Sequence, residues 1–264
     1  MRYVVLEKSV GETPLEVIEA WREKHPQYKS TALSYAGRLD PMASGKLLIL
    51  IGEECKKQRA YTDLDKEYEL ELVLDIASDT GDALGLTTYD FKDTTPKRKE
   101  VLHALLKEQG AHERAYPAFS SKTVDGKPLF LYALSGTLDS VTIPTHTEHI
   151  YRIELLDLFV LTHRELQARV QTHLAKTPLS DEPSKALGAD FRIKEVQKKW
   201  SEVFAQAGER SFSILKLRVT CGSGTYMRTL APRIGASLGT SALLLSLRRT
   251  RLGKYWHGWW LKTF

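Results

Sequence analysis

Alternating polar and apolar side chains predict several strands along the chain. Residues 66–76 alternate over most of their length, which is typical of a strand with one buried face. Residues 149–161 and 211–221 are also strand-like, and the apolar run 47–52 indicates a buried strand or another packed element. A short strand-like run, YVVLEK, lies near the N-terminus.

Apolar residues at helical spacing predict helices between these strands. A helix is expected after Thr13, a suitable N-cap residue, with Pro14 in its first turn. Others are expected over 95–110, in a short segment before Gly136, and after the turn at 222–224. The charged segment 162–209 predicts two helices and a loop, inserted between two strands that would otherwise form a hairpin.

The order of these elements predicts an α+β fold with a mixed, largely antiparallel sheet and flanking helices. The strands follow one another through hairpins and single helices, without the strict βαβ alternation of a parallel sheet. At 264 residues the chain is long enough for a large core in one or two domains. No internal repeat of 20 to 50 residues is present.

Composition narrows the class of protein. Hydrophobic residues at 42% and charged residues at 27% exclude a mainly disordered chain. The longest apolar run, 47–51, is too short to cross a membrane, and the N-terminus resembles no secretory signal, so a cytoplasmic protein is expected. Cys55 and Cys221 have no partners at metal-ligand spacing, which argues against a disulfide framework and against a zinc site.

Positive charge is concentrated near the C-terminus. The net charge is +5, but residues 210–264 contain ten Lys and Arg side chains and no Asp or Glu. Such asymmetry favours a polyanionic partner, because Lys and Arg neutralise phosphates. Nucleic acid is the leading partner class, and a solvated basic face that binds nothing is the alternative.

One aspartate lies in an unusual setting. Asp40 is followed by Pro41 and surrounded by small residues in the segment GRLDPMASGK, so a rigid loop is expected. The nearby Arg38 would favour the ionised carboxylate. The Gly–Lys pair at 45–46 does not complete a phosphate-binding loop, because the spacing is too long and Leu47 follows the lysine. From these residues alone, Asp40 is either a turn residue or a catalytic carboxylate.

Residues 35–53, YAGRLDPMASGKLLILIGE, resemble the catalytic motif of the TruB family of pseudouridine synthases. Further blocks similar to the family's motifs occur in the family's order. They cover residues 5–14 (VLEKSVGETP), 65–72 (DKEYELEL), 78–85 (SDTGDALG), 116–133, 219–231 (VTCGSGTYMRTLA) and 246–253 (SLRRTRLG).

The resemblance implies isomerisation of a uridine in tRNA to pseudouridine, with no cofactor and no metal. The expected substrate is the T-loop uridine at position 55 of the tRNA T-arm. It would be flipped out of its stack before reaction. By this resemblance Asp40 is the catalytic carboxylate, Arg228 pairs with it, and Tyr68 stacks on the base. Leu247 would line the uracil pocket, and Lys8 would support the catalytic loop.

Phosphate contacts are expected from a basic group near the C-terminus: Arg248, Arg249, Arg251 and Lys254. Tyr35 occupies the position of a family histidine on the substrate-handling loop, where its ring could still stack on a base. No membrane partner, protein partner or oligomer is indicated, so a monomer is expected.

The chain also departs from the family pattern in its domain organisation. The expectation is one catalytic domain over 1–264, with an insertion at about 162–209 and no C-terminal PUA domain. One hypothesis is that the insertion replaces the RNA contact of that domain, and the alternative is a surface decoration. The hypothesis depends on basic residues of the insertion: Arg164, Arg169, Lys176, Lys185, Arg192, Lys194, Lys198 and Lys199.

Two other functions remain open. One is a tRNA-binding or tRNA-folding protein without turnover, and the other is the same chemistry on a different RNA uridine. Replacing Asp40 by asparagine distinguishes an enzyme from a pure binder.

Overall fold

A computed structural model describes residues 1–92, 95–177 and 192–264. Its strands in chain order are β1 (Tyr3–Lys8), β2 (Leu33–Ala36), β3 (Ala43–Ile51), β4 (Asp65–Leu74), β5 (Ile76–Ser78), β6 (Thr87–Tyr89), β7 (Gly110–Ala115), β8 (Thr123–Val124), β9 (Lys127–Pro128), β10 (Thr145–Thr162), β11 (Ser211–Cys221), β12 (Ala242–Trp256) and β13 (Trp259–Thr263). Its α-helices are α1 (Pro14–Glu23), α2 (Gln58–Thr62), α3 (Arg98–Glu108), α4 (Leu129–Leu134), α5 (His163–Lys176), α6 (Ile193–Ala207) and α7 (Met227–Ser237).

The central sheet has the order β1-β3-β12-β4-β11-β10-β7, with β2 paired to β3 and β13 paired to β12. Every pair is antiparallel except β3 with β12, which run parallel over three residue pairs. The expected α+β fold with a mixed, largely antiparallel sheet is therefore confirmed.

The main core joins the sheet to four helices. Buried side chains of β4, β11 and β12 pack in one cluster with those of α3, α5, α6 and α7. A separate small cluster lies where Val17 and Ile18 of α1 cover Leu47 and Ile49 of β3. Helix α1 begins as the sequence predicts, because the Thr13 hydroxyl accepts the backbone N–H of Glu16 and Glu16 returns a bond to the Thr13 N–H.

The predicted insertion contains two helices between paired strands. Strands β10 and β11 form an antiparallel pair that ends at Thr162 and Ser211. Helix α5 follows β10 directly, and α6 precedes β11. Both helices bury one apolar face: Leu166, Val170 and Leu174 in α5, and Val196, Trp200 and Val203 among others in α6. The predicted loop between them, with Lys185, falls on residues outside the described ranges.

Candidate active site

Asp40 lies on the loop that joins β2 to β3. Its backbone carbonyl accepts the N–H of Ala43 at 2.9 Å, and the next carbonyl, that of Pro41, accepts the N–H of Gly11 at 2.9 Å. The side chain is 43% exposed. A tight turn therefore presents a solvent-accessible carboxylate on a backbone that a second loop holds in place.

Lys8, at the end of β1, holds this loop through hydrogen bonds to its backbone. Its ammonium donates to the backbone carbonyls of Ala43 at 2.6 Å, Ser9 at 3.0 Å and Asp40 at 3.2 Å. The side chain is fully buried, and burial lowers its pKa to about 8. The structure therefore places Lys8 where the family resemblance expects a supporting lysine.

Arg249 of β12 holds the same loop from the other side. Its guanidinium donates to the Lys46 carbonyl at 2.8 Å and, at 3.4 Å each, to the carbonyls of Arg38 and Gly37. The residue is 1% exposed, so the expected phosphate contact is wrong for Arg249. The backbone of Arg249 lies so close to residue 45 that glycine is required there, because a Cβ would overlap that backbone.

The other three basic residues of this group are at the surface. Arg248 and Arg251 are about half exposed and pair with the carboxylates of Glu7 at 2.6 Å and Glu67 at 3.4 Å, respectively. Arg248 lies between Leu247 and Arg249 in the strand, so its side chain points to the opposite face of the sheet. Lys254 is exposed. A phosphate at Arg248 or Arg251 would compete with a carboxylate already in place.

The Asp40 carboxylate receives a charge-assisted hydrogen bond from Arg228, in the first turn of α7. The Arg228 Nε lies 2.7 Å from Asp40 Oδ2. Its two terminal nitrogens donate to the carbonyls of Thr80 at 3.0 Å and Phe119 at 2.9 Å. Arg228 is 7% exposed, so three bonds fix its planar guanidinium in one orientation. The expected pairing of Arg228 with Asp40 is present.

A second carboxylate, Asp82, lies behind Arg228. Its Oδ2 is 3.8 Å from the Arg228 Nε, and its Oδ1 accepts the Thr80 hydroxyl at 2.7 Å and the Leu84 N–H at 3.0 Å. Burial raises the pKa of Asp82 to about 6, although the Arg228 charge opposes this shift. Asp82 lies in the block SDTGDALG at 78–85, which resembles a family motif, and that block was the signal in the sequence that could have identified it.

Tyr68 of β4 and Leu247 of β12 belong to the main apolar core. Tyr68 lies opposite Arg249, and Leu247 lies opposite Leu70, in the pairing of β4 with β12. Both are nearly buried and belong to the same cluster as Leu39, next to Asp40. Burial raises the pKa of Tyr68 to about 12, so its phenol stays neutral near pH 7.

Tyr35 is placed differently from the expectation of a substrate-handling residue. It lies in β2 opposite Ile49, and its side chain packs against the cluster under α1, with Val17 and Ile18 as members. The structure therefore gives Tyr35 a packing contact with α1, and substrate contact stays a prediction.

Within the described residues, no three His, Cys, Asp or Glu side chains form a group that could hold a metal ion. The helices in these ranges also lack the combination of length and apolar character that a membrane span requires.

Comparison with known proteins identifies the family of this chain. The family model described as "TruB family pseudouridylate synthase (N terminal domain)" matches residues 26–175, more than half of the chain. The chain belongs to the TruB family.

Curated relatives match most of this chain. It is 32% identical over 221 residues to a tRNA pseudouridine synthase B of Azoarcus sp. (strain BH72), covering 84% of this chain and 55% of the relative. It is 28% identical over 256 residues to the tRNA pseudouridine synthase B of Psychrobacter cryohalolentis, covering 96% and 56%. The chain spans about half the length of the curated relatives it matches.

A solved structure shares the fold. A chain in the crystal structure of a Cbf5-Nop10-Gar1 complex superposes with a TM-score of 0.55 at 19% identity, covering 96% of this chain and 49% of that one. At this identity the likeness concerns the fold alone.

Proposed function

We propose that this chain isomerises a uridine of tRNA to pseudouridine, with Asp40 as the catalytic carboxylate. The observation that carries the proposal is the half-exposed Asp40 carboxylate, bonded at 2.7 Å to a buried arginine on a loop held from two sides. A residue needed only for a turn requires no such partner.

The reaction balances without a co-reactant. The bond from C1′ of the ribose to N1 of uracil breaks, the base rotates, and a bond from C1′ to C5 forms. The proton on C5 is lost and N1 gains one, so product and substrate have the same composition. Asp40 acts on the flipped uridine while the base detaches, either by attack at C1′ of the ribose or by abstracting a proton.

The other site residues have supporting roles in this proposal. Arg228 orients the Asp40 carboxylate through a charge-assisted hydrogen bond of 2.7 Å. Tyr68 and Leu247 supply an apolar wall for the flipped base. Stacking on an aromatic ring is worth about 1–3 kcal/mol, which offsets part of the cost of extruding the base.

The proposed substrate is the T-loop uridine at position 55, taken up by a single catalytic domain over 1–264. The names of the relatives support tRNA as the substrate class. The exposed Arg38, two residues before Asp40, provides a positive charge beside the site for the RNA backbone.

Tritium release from unmodified tRNA that carries 5-tritiated uridine tests the proposal. Wild type should release one equivalent per tRNA, whereas Asp40→Asn should release none and still bind tRNA. The exposed Asp157→Asn is the matched control and should behave as wild type. Binding without release by the wild type would contradict the proposal and favour a tRNA-binding role, while release from other RNAs only would change the substrate.

A further inference from the structure

The two insertion helices contact the segments that build the active site. At the end of α5, Lys176 lies so close to Gly11 that a Cβ at Gly11 would overlap the Lys176 carbonyl oxygen. Gly11 in turn donates to the carbonyl of Pro41, next to Asp40. In α6, the indole N–H of Trp200 donates to the Ala83 carbonyl at 2.9 Å, one residue beyond Asp82.

Arg192, immediately before α6, contacts two segments next to the catalytic pair. Its Nη1 lies 2.8 Å from the Asp79 Oδ2, and its guanidinium carbon is 4.9 Å from the centre of the Phe119 ring. Both side chains of the ion pair are largely shielded, with 23% and 33% exposure, so the pair is less screened than a surface pair. A planar guanidinium can hold a carboxylate at its edge and an aromatic ring at its face.

The two segments that Arg192 joins are the same two that orient Arg228. Thr80, which follows Asp79, and Phe119 provide the carbonyls that accept the terminal nitrogens of Arg228. Asp79 also accepts the Leu86 N–H through its other oxygen at 2.8 Å, which ties its side chain to the turn. Arg192 thus bridges the two segments whose carbonyls accept the terminal nitrogens of Arg228.

We infer that Arg192 is a positioning residue for the catalytic ion pair, contributed by the insertion. This inference rests on the proposed function and extends it, because it gives the inserted helices a role in the geometry of the site. It differs from the hypothesis that the insertion replaces an RNA contact. Several cations of the insertion are already paired within the protein: Arg169 with Glu71, Arg192 with Asp79 and Lys199 with Glu202.

The test uses the full chain and four variants. Arg192→Ala removes both contacts, Arg192→Lys keeps the charge without the planar group, and Asp79→Asn removes the ion pair while keeping an oxygen for the Leu86 N–H. Arg164→Ala, exposed on the same insertion, is the matched control. The readouts are the single-turnover rate constant and Kd for tRNA, with deuterium uptake of segments 78–86 and 117–121 as a measurement without RNA.

Arg192→Ala should lower the rate constant about tenfold or more with an unchanged Kd, since small displacements of catalytic groups are costly. Asp79→Asn should have the same effect, the double variant should lose no more than either single one, and Arg192→Lys should recover part of the rate. Deuterium uptake should rise in both segments in Arg192→Ala and not in Arg164→Ala.

The result that overturns the inference is unchanged deuterium uptake in both segments, or an unchanged rate constant in an active protein. A weaker Kd with an unchanged rate constant would equally overturn it, in favour of a direct RNA contact. A wild type that releases no tritium contradicts the proposed function instead, and the uptake data then still decide whether Arg192 holds the two segments together.

Discussion

The Arg228 Nε and the Asp40 Oδ2 lie 2.7 Å apart, although 188 residues separate them in the chain. The aspartate comes from the loop before β3 and the arginine from the first turn of α7. Gly81 permits this arrangement, because a Cβ at that position would overlap the backbone of Arg228. The ion pair is therefore held by backbone packing as well as by charge.

Replacing Arg228 by lysine should show whether catalysis needs the fixed guanidinium geometry of residue 228 or only its positive charge. Lysine retains the positive charge, but it cannot donate to Asp40, Thr80 and Phe119 with the fixed geometry of a guanidinium. We expect the single-turnover rate constant to fall at least about 100-fold, with tRNA affinity close to that of wild type. Arg152→Lys, at an exposed pair with Glu154, is the control and should leave the rate unchanged.

Removing the Arg228 charge altogether should destabilise the fold through Asp82. Arg228→Met leaves a buried carboxylate without its cation, which typically costs about 3–5 kcal/mol of unfolding free energy. Adding Asp82→Asn should recover part of this loss, because the uncompensated charge is then gone. Denaturant unfolding of the two variants checks this, and equal stabilities of single and double variant would contradict it.

Asp82 should also make stability depend on pH. Its pKa is raised from 3.8 to about 6 by burial, so the folded state holds the proton more tightly than the unfolded state. The contribution of this group to stability is therefore complete below about pH 4 and is lost as the pH rises through 6. The loss corresponds to about 3 kcal/mol.

Unfolding free energies of wild type and Asp82→Asn, measured from pH 4 to pH 7, test this dependence. Relative to the variant, wild type should lose stability across that range. A constant difference between the two proteins would show that Asp82 does not titrate there, and Asp157→Asn should follow wild type at every pH.

Lys8 should confer an alkaline limit on catalysis. Its pKa is lowered to about 8, and its ammonium has three protons for the carbonyls of Ala43, Ser9 and Asp40, whereas the neutral amine has two. We expect the single-turnover rate constant to decline above about pH 8, and Lys8→Met to show a lower rate without this decline. Lys66→Met is the matched control. Lys66 has the same lowered pKa of about 8, but it holds the carbonyls of Thr62 and Leu64 instead, so its variant should keep the decline.

Replacing Arg249 by methionine should lower the unfolding free energy much more than replacing the neighbouring Arg248. Arg249→Met leaves buried carbonyls unpaired and should lower the unfolding free energy by about 2–4 kcal/mol. Arg248→Met breaks an exposed pair with Glu7 and should change it by less than about 1 kcal/mol. Comparable destabilisation by the two variants would contradict the placement of their side chains.

If Arg248 contacts a phosphate, Arg248→Met should also reduce the salt dependence of tRNA binding, with the slope of log affinity against log salt concentration falling by about one.

The sequence predicted elements well where one local rule was sufficient. Thr13 and Pro14 defined the start of α1 through capping, and residues 211–221 matched β11 in both bounds because their composition is strand-like throughout. The two inserted helices were also predicted, since their apolar residues recur at helical spacing. The Arg228–Asp40 pair came from the family resemblance and not from periodicity.

The longest element that the sequence pattern does not predict is β12. Register shifts between Leu244 and Ser246 and between Arg249 and Arg251 interrupt its alternation, so no period of two runs through its 15 residues. For the same reason the sequence could not distinguish Arg249, which is buried, from Arg248, which is exposed. Burial of Arg249 depends on the carbonyl of Lys46 in β3 and on two carbonyls of the β2–β3 loop, about 200 positions away in the chain, and no local pattern encodes their position.

The distance in sequence between Asp40 and Arg228 has a consequence for protein synthesis. Chains emerge from the ribosome at about 5–20 residues per second, N-terminal end first, so the loop that carries Asp40 is made well before α7. A nascent chain halted before Arg228 contains the aspartate but lacks the side chain that orients it. The candidate catalytic pair is therefore complete only after α7 has been synthesised and has packed against the sheet.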